Sequence, residues 1–179
     1  MRRMREMKES CKAIVAQGGH PLQTELEDRL RFETFISNIS ARFVKLPPEE
    51  VDREIELALQ KVMNLFNANR CGLIKVSPER KLSLITHASY APDLQPLPQG
   101  LNLYNMFPWH YRKIIERKQP IILDTIDDMP PEADQDMRSY ASLGFKSLMS
   151  VPVFCGQRST YLLACLTTRG ERTWPKEYA

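Results

Sequence analysis

No apolar stretch in the 179-residue sequence approaches the ~18–20 residues that a membrane-spanning helix needs, which excludes such a helix. Cysteine is scarce and unpatterned. Cys11, Cys71, Cys155 and Cys165 show no CxxC spacing and no histidine at metal-ligand intervals, so nothing suggests a zinc module. Three of the four sit in apolar, strand-like surroundings, where a free thiol behaves as a small hydrophobe, and a reducing cytoplasmic compartment is expected. No apolar segment or cleavage site succeeds the basic start, so no signal peptide is predicted. A surplus of one charge is missing as well. The formal net charge is +3, but Arg2, Arg3, Arg5, Lys8 and Lys12 against Glu6 and Glu9 account for all of it. Removing those five bases and two acids from the 25 and 22 leaves 20 of each sign. A neutral body has no basic stripe for nucleic acid, and none is expected as a partner.

The composition is otherwise that of an ordinary globular protein, with 42% hydrophobic and 26% charged residues. Gly18-Gly19-His20-Pro21 separates a charged leader, residues 1–21, from the rest of the chain. From Leu22 to Leu46 apolar residues recur at intervals of three and four without an interior proline or glycine, which predicts one long helix. Its first half carries a single stripe, Leu22, Leu26 and Leu30, suited to pairing with a second copy of the chain. Pro47-Pro48 ends that helix and opens another, whose buried face is expected at Val51, Ile55, Ala58, Leu59, Val62, Met63 and Phe66. The period then changes. Residues 71–76 and 82–90 read as a hairpin, succeeded by a proline-rich loop through Pro92, Pro96, Pro98 and Gly100. Next come a helix at 109–118, a strand at 121–123 and a helix around 132–143, the last closed by Gly144. Residues 147–154 and 160–168 form a second hairpin around Gly156-Gln157-Arg158-Ser159. Two hairpins with helices between them predict an α+β domain on an antiparallel sheet.

This order resembles a GAF domain, in particular those of bacterial sensor histidine kinases and related signalling proteins. The residues that carry the resemblance are Leu30-Arg31-Phe32-Glu33, Leu46-Pro47, Val51-Asp52, Phe107-Pro108-Trp109, Leu143-Gly144-Phe145-Lys146-Ser147, Val151-Pro152-Val153 and Arg172-Thr173-Trp174-Pro175. The resemblance implies a GAF-like central antiparallel sheet of five or six strands with helices packed on one face. A small-molecule pocket covered by loops and helices would lie on the other face. It divides the chain into the leader 1–21, a linker and dimerisation helix 22–46, and a domain core 47–179. In the family Trp174-Pro175 opens a long final helix, which is expected to be missing here.

Known ligand classes of the family find little support. The Asn-Lys pair of cyclic-nucleotide GAF domains is absent, as are the Cys-His pair and Asp-Ile-Pro stretch of those that attach a bilin. The cluster of cysteines used to reduce methionine sulfoxide is absent too. A haem would need an axial histidine, for which His87 and His110 are the candidates; a surface or hydrogen-bonded histidine is the plainer reading. Tyr104, Met106, Phe107, Trp109, His110 and Tyr111 form an aromatic cluster suited to a small planar or cationic ligand, or merely to anchoring the loop. Asp124, Asp127, Asp128 and Glu132 lack the oxygen spacing of a calcium loop and read as a solvated acidic segment. The candidate ligand-binding set is Tyr104, Phe107, Trp109, His110, Asp124, Tyr140 and Ser150, with no catalytic or metal residue and the cofactor open. The expected function is sensory: a cytoplasmic homodimer binds a small molecule and relays its state to an output domain. A ligand-free dimerisation module and a thiol redox enzyme acting through Cys71, Cys155 or Cys165 are the alternatives.

Overall fold

The computed structural model describes residues 21–44, 46–98, 100–155 and 159–175. The expected leader falls outside them except for Pro21, as do the 156–158 turn and the four last residues, where a closing helix would begin. The chain divides into two compact units, 1–48 and 49–179.

In the first unit, helix α1 runs Pro21–Phe43. It stops three residues short of the expected Leu46. The physical cause is Pro47, whose ring disfavours helical geometry in the residue before it, so the chain leaves the helix early. Leu26 and Leu30 are 68% and 64% exposed, while Phe32, Phe35 and Ile39 are half-buried. Among the described residues, no helix is long and apolar enough to cross a membrane.

A 3-10 turn at Pro48–Glu50 leads into the second unit and its first helix, α2, Val51–Leu65. Asp52 and Glu54 sit in its first turn, where the positive helix end favours acids. Beyond it lie five strands: β1 (Arg70–Ser77), β2 (Leu82–Tyr90), β3 (Ile121–Leu123), β4 (Ser147–Cys155) and β5 (Ser159–Thr167). They form one antiparallel sheet in the order β2-β1-β5-β4-β3. Both expected hairpins are present, and the β1–β5 pairing that joins them is the long-range closure.

The sheet has two faces because side chains alternate along each strand. On one, α2 packs against β1 and β2, with Leu59, Met63 and Phe66 buried; His87 Nε2 reaches Asp52 Oδ1 at 3.2 Å. Cys71 pairs with Cys165 on this face, their Sγ atoms 3.4 Å apart. The other face carries the larger core, in which Ile74, Val76, Leu148, Leu162 and Ala164 meet Phe107, Trp109, Ile114, Ile126 and Tyr140. Those partners come from short elements: α3 (Pro108–Tyr111), a π-turn (Arg112–Glu116), and α4 (Asp134–Ser142) preceded by a 3-10 turn at Pro131–Ala133. The single helix expected over 109–118 is thus one α-helical turn widened into a π-turn, and Lys118 ends it with φ +54°.

Gly144 has φ +72° and lets the chain reverse from α4 into β4, its amide donating to the Ala141 carbonyl at 3.0 Å. Gly144→Ala is expected to lose roughly 1–2 kcal/mol of stability, the cost of a Cβ in the left-handed region, read as a lower urea midpoint with unchanged slope.

Candidate functional site

Above the second face of the sheet lies an apolar cavity of about 90 Å³. Its floor is a row of small residues in cross-strand register: Ala88 on β2, Gly72 on β1, Ala164 on β5 and Ser150 on β4. Larger residues bound it on both sides. Tyr90, Arg70, Leu166 and Leu148 form the row beyond one edge, and Ile85, Ile74 and Leu162 the row beyond the other. A bulge makes this arrangement possible. The β1–β2 register shifts between Leu73 and Ile74, leaving Thr86 without a partner residue on β1, its Oγ1 donating instead to the Leu73 carbonyl at 3.0 Å. Without the extra residue, Thr86 would face the cavity; with it, Ile85 and Ser83 do.

The roof is held by two side chains acting at a distance from their own elements. Asn102 straps the proline-rich loop to edge strand β2. Its Oδ1 accepts from the amides of Ser83 (2.9 Å) and Tyr104 (3.1 Å), and its Nδ2 donates to the Lys81 carbonyl at 3.0 Å. This sets Leu103 and Tyr104 over the cavity. Asp136, fully buried on α4, accepts the Trp109 amide at 3.0 Å and the His110 amide at 2.8 Å. The first turn of α3 has no capping side chain of its own, so a carboxylate from another helix satisfies it. Burial pushes the Asp136 carboxyl above the usual range, and the two amide bonds oppose that shift.

His110 is buried at the roof and committed through both ring nitrogens. Nδ1 is hydrogen-bonded to the Tyr140 hydroxyl, and Nε2 to Ser150 Oγ at 3.1 Å. Burial lowers its pKa to about 4 and raises that of Tyr140, so both groups are neutral at pH 7. Phe107 stacks on Tyr140 at 4.4 Å between centroids. Tyr104 meets Tyr111 edge-on at 4.6 Å, and this pair also lines a polar surface groove with Arg112, Glu116 and Gln135. The two rings therefore stand between the inner cavity and the outside.

Of the residues expected at a site, Tyr104, Phe107, His110, Tyr140 and Ser150 all line this cavity. Trp109 and Asp124 do not. Trp109 turns into the core below α3, with Lys113 Nζ 5.5 Å from its ring, because successive residues of a helical turn point apart. Asp124 is a fastening point for the chain's last described segment. Its Oδ1 accepts the Trp174 amide at 3.0 Å and its carbonyl the Arg172 amide at 3.3 Å. Trp174, 1% exposed, donates its indole N–H to the Leu123 carbonyl at 3.1 Å. Asp127, Asp128 and Glu132 are exposed, and the described residues hold no cluster of three or more potential metal ligands.

Neither histidine proposed for haem is placed to ligate iron: His87 bonds Asp52 on the opposite face, and both nitrogens of His110 are occupied. The Cys165 hydrogen bond and burial push the Cys71 thiol well above its usual range, leaving it protonated and a poor nucleophile. The side chain of Cys155 lies outside the described residues.

Among the wall residues outside the expected set, one is charged. Arg70, first residue of β1, places its guanidinium 5.5 Å from the ring centroids of both Tyr90 and Phe145. Its Nε and Nη1 are buried and find no acceptor among the described residues. Each such donor costs about 1–3 kcal/mol, which the two cation–π contacts offset only in part. In sequence an arginine opening a strand looks like an ordinary surface charge, and only the pairing of β1 with β2 and β5 shows otherwise.

No protein-family model matches the chain, and neither does any curated protein. Solved structures do. The phycocyanobilin-bound GAF domain of a cyanobacterial phytochrome superimposes with a TM-score of 0.66 at 19% identity, over 81% of this chain and 84% of that one. Its phycoerythrobilin-bound counterpart, also from a cyanobacterial phytochrome, gives 0.66 at 18% identity over 84% and 88%. The chromophore-binding domain of Stigmatella aurantiaca bacteriophytochrome gives 0.64 at 17% identity, over 83% of this chain and 55% of that one. This is a GAF-like fold. The cavity of this GAF-like domain lies between the sheet and the elements of residues 91–145.

The histidine makes stability depend on pH with a definite sign. Below pH 6.5 the unfolded chain binds a proton at His110 that the folded chain refuses until about pH 4. Stability is therefore lost as pH falls across that window, by roughly 3 kcal/mol in full. Asp136, shifted upward, acts in the opposite sense and is common to wild type and variant. His110→Gln should flatten the fall in urea midpoint between pH 6.5 and 4 relative to the wild type.

Proposed function

We propose that this chain is a sensory domain that binds a small molecule in the cavity over β1, β2, β4 and β5 and relays its occupancy to an output domain. The observation that carries this reading is the row Ala88, Gly72, Ala164, Ser150. Four strands withdraw their side chains at one level, and the elements above do not fill the space they leave, whereas interiors are otherwise closely packed. Aromatic and aliphatic walls with a few fixed polar groups suit an apolar ligand. Occupancy would act by shifting an equilibrium between two arrangements that bind the ligand unequally. A cytoplasmic setting fits the two free, buried cysteines Cys71 and Cys165.

The bilins named for the structural neighbours fit poorly. An engineered cavity of ~150 Å³ takes a single benzene, and this one is smaller, so a four-ring chromophore has no room among these side chains. The sequence also lacks the Cys-His pair through which bilins are attached. A catalytic role finds no support in the polar groups of the cavity. His110 is committed on both sides, and the Cys71 thiol turns away to Cys165. A short branched chain is the better match.

Gly72→Val tests the reading. A Cβ there would meet the His87 carbonyl at 3.6 Å and Ala88 Cβ at 4.0 Å, ordinary contacts, so the side chain fills the cavity without forcing the backbone. Small apolar compounds that raise the melting temperature of the wild type should leave that of Gly72→Val unchanged. A shift retained by the variant places binding elsewhere.

Dimerisation through α1 belongs to the same proposal, supported by the exposed Leu26 and Leu30. Light scattering should give twice the 20.7 kDa chain mass for the wild type, with Leu26→Glu/Leu30→Glu shifting it toward monomer. A wild type that stays monomeric at high micromolar concentration refutes it.

A further inference from the structure

We propose that the cavity takes a small apolar carboxylate whose acid group is held by the Arg70 guanidinium. This deepens the reading above and rests on the cavity being a ligand site. Among the described residues, Arg70 is the only one lining the cavity that carries a charge at pH 7. No described carboxylate side chain shares the cavity wall, and the Arg70 Nε and Nη1 are buried without an acceptor among the described residues. Tyr90 and Phe145 hold it from two sides at 5.5 Å, which fixes a charged group at the rim of an otherwise apolar space.

A cation at that position repels an amine and attracts an anion, so the aromatic cluster does not make this a cation cage. The anion is single. One guanidinium neutralises one charge, and a dianion such as phosphate would carry a second, uncompensated charge into apolar surroundings. Guanidinium is also weakly hydrated and donates to planar carboxylates, which lowers the cost of making the pair away from water. The remainder of the ligand lies over Gly72 and Ala164, where only hydrocarbon or a ring edge meets the floor. In a cavity of about 90 Å³ that remainder is a short branched chain.

The experiment compares three compounds that share an isopropyl group and differ in the head group: isobutyrate, isobutyramide and isobutylamine. Each is titrated against the full chain at pH 7, and affinity is taken from the concentration dependence of the melting temperature. The acid should bind at least about tenfold more tightly than the amide, as charge-assisted bonds to a buried donor discriminate by one to two decades, and the amine should bind most weakly. Arg70→Met, which keeps the apolar stem, should erase the acid–amide difference while leaving the amide's affinity in place. Should that variant fail to fold by circular dichroism, Arg70→Gln reads the same difference. Equal binding of acid and amide, a preference for the amine, or a preference for the acid that survives loss of Arg70 overturns the assignment while the cavity stands as a ligand site. If none of the three binds, the carboxylate assignment is overturned, and the Gly72→Val comparison decides the cavity reading by itself.

Discussion

The roof of the cavity depends on one buried carboxylate. Asp136 sits on α4 but completes the first turn of α3, taking two amides that no local side chain satisfies. Removing it would leave two buried donors unpaired and reduce the joint between α3 and α4 to the contacts of Tyr140. The arrangement above the sheet hangs on that joint. It sets His110 where its ring can reach Tyr140 on one side and Ser150 on the sheet on the other. It also brings Phe107 against Tyr140. A continuous polar chain thus runs from α3 to α4 and down to β4, and fixes the height of the roof above Gly72 and Ala164. The carboxyl's upward shift is the cost of that burial, borne because both oxygens are used.

The space beneath is a matter of register. Four small residues from strands far apart in the chain fall at one level only because β1 pairs with both β2 and β5, and because a bulge at Thr86 resets the phase of β2. Packing in protein interiors is otherwise dense enough to close such a gap. Opposite the cavity the same strands bury Cys71, Cys165 and Met149, so the two faces are built to different ends. The thiols are packing groups there, with burial and mutual hydrogen bonding holding Cys71 protonated.

The expected aromatic cluster is divided by its neighbours. Phe107 and His110 face the cavity, while Trp109 between them faces the core, as the turn of a helix requires. The acidic segment divides likewise: Asp124 fastens Trp174 and Arg172, and Asp127 and Asp128 stay in solvent. Residue type could not separate these roles, because a carboxylate that accepts amides and one that meets water look alike in sequence. The role of Asp136 is hidden for the same reason, since it is one acid among several in a polar helix.

By itself the sequence determined the local elements: two hairpins, the helical periods, the break at Pro47-Pro48 and the reversal at Gly144. These are set by side-chain periodicity and by backbone preferences of single residues, which act over a few positions. It also determined that the net charge resides in the first twelve residues and that no apolar run is long enough for a membrane-spanning helix. Only the tertiary structure decided what those elements enclose. The level row of small residues, the distant cap from Asp136 and the partnerless donors of Arg70 each arise between segments separated by tens of residues. Such pairings are fixed by sheet register and burial, and neither is written in any one stretch of chain.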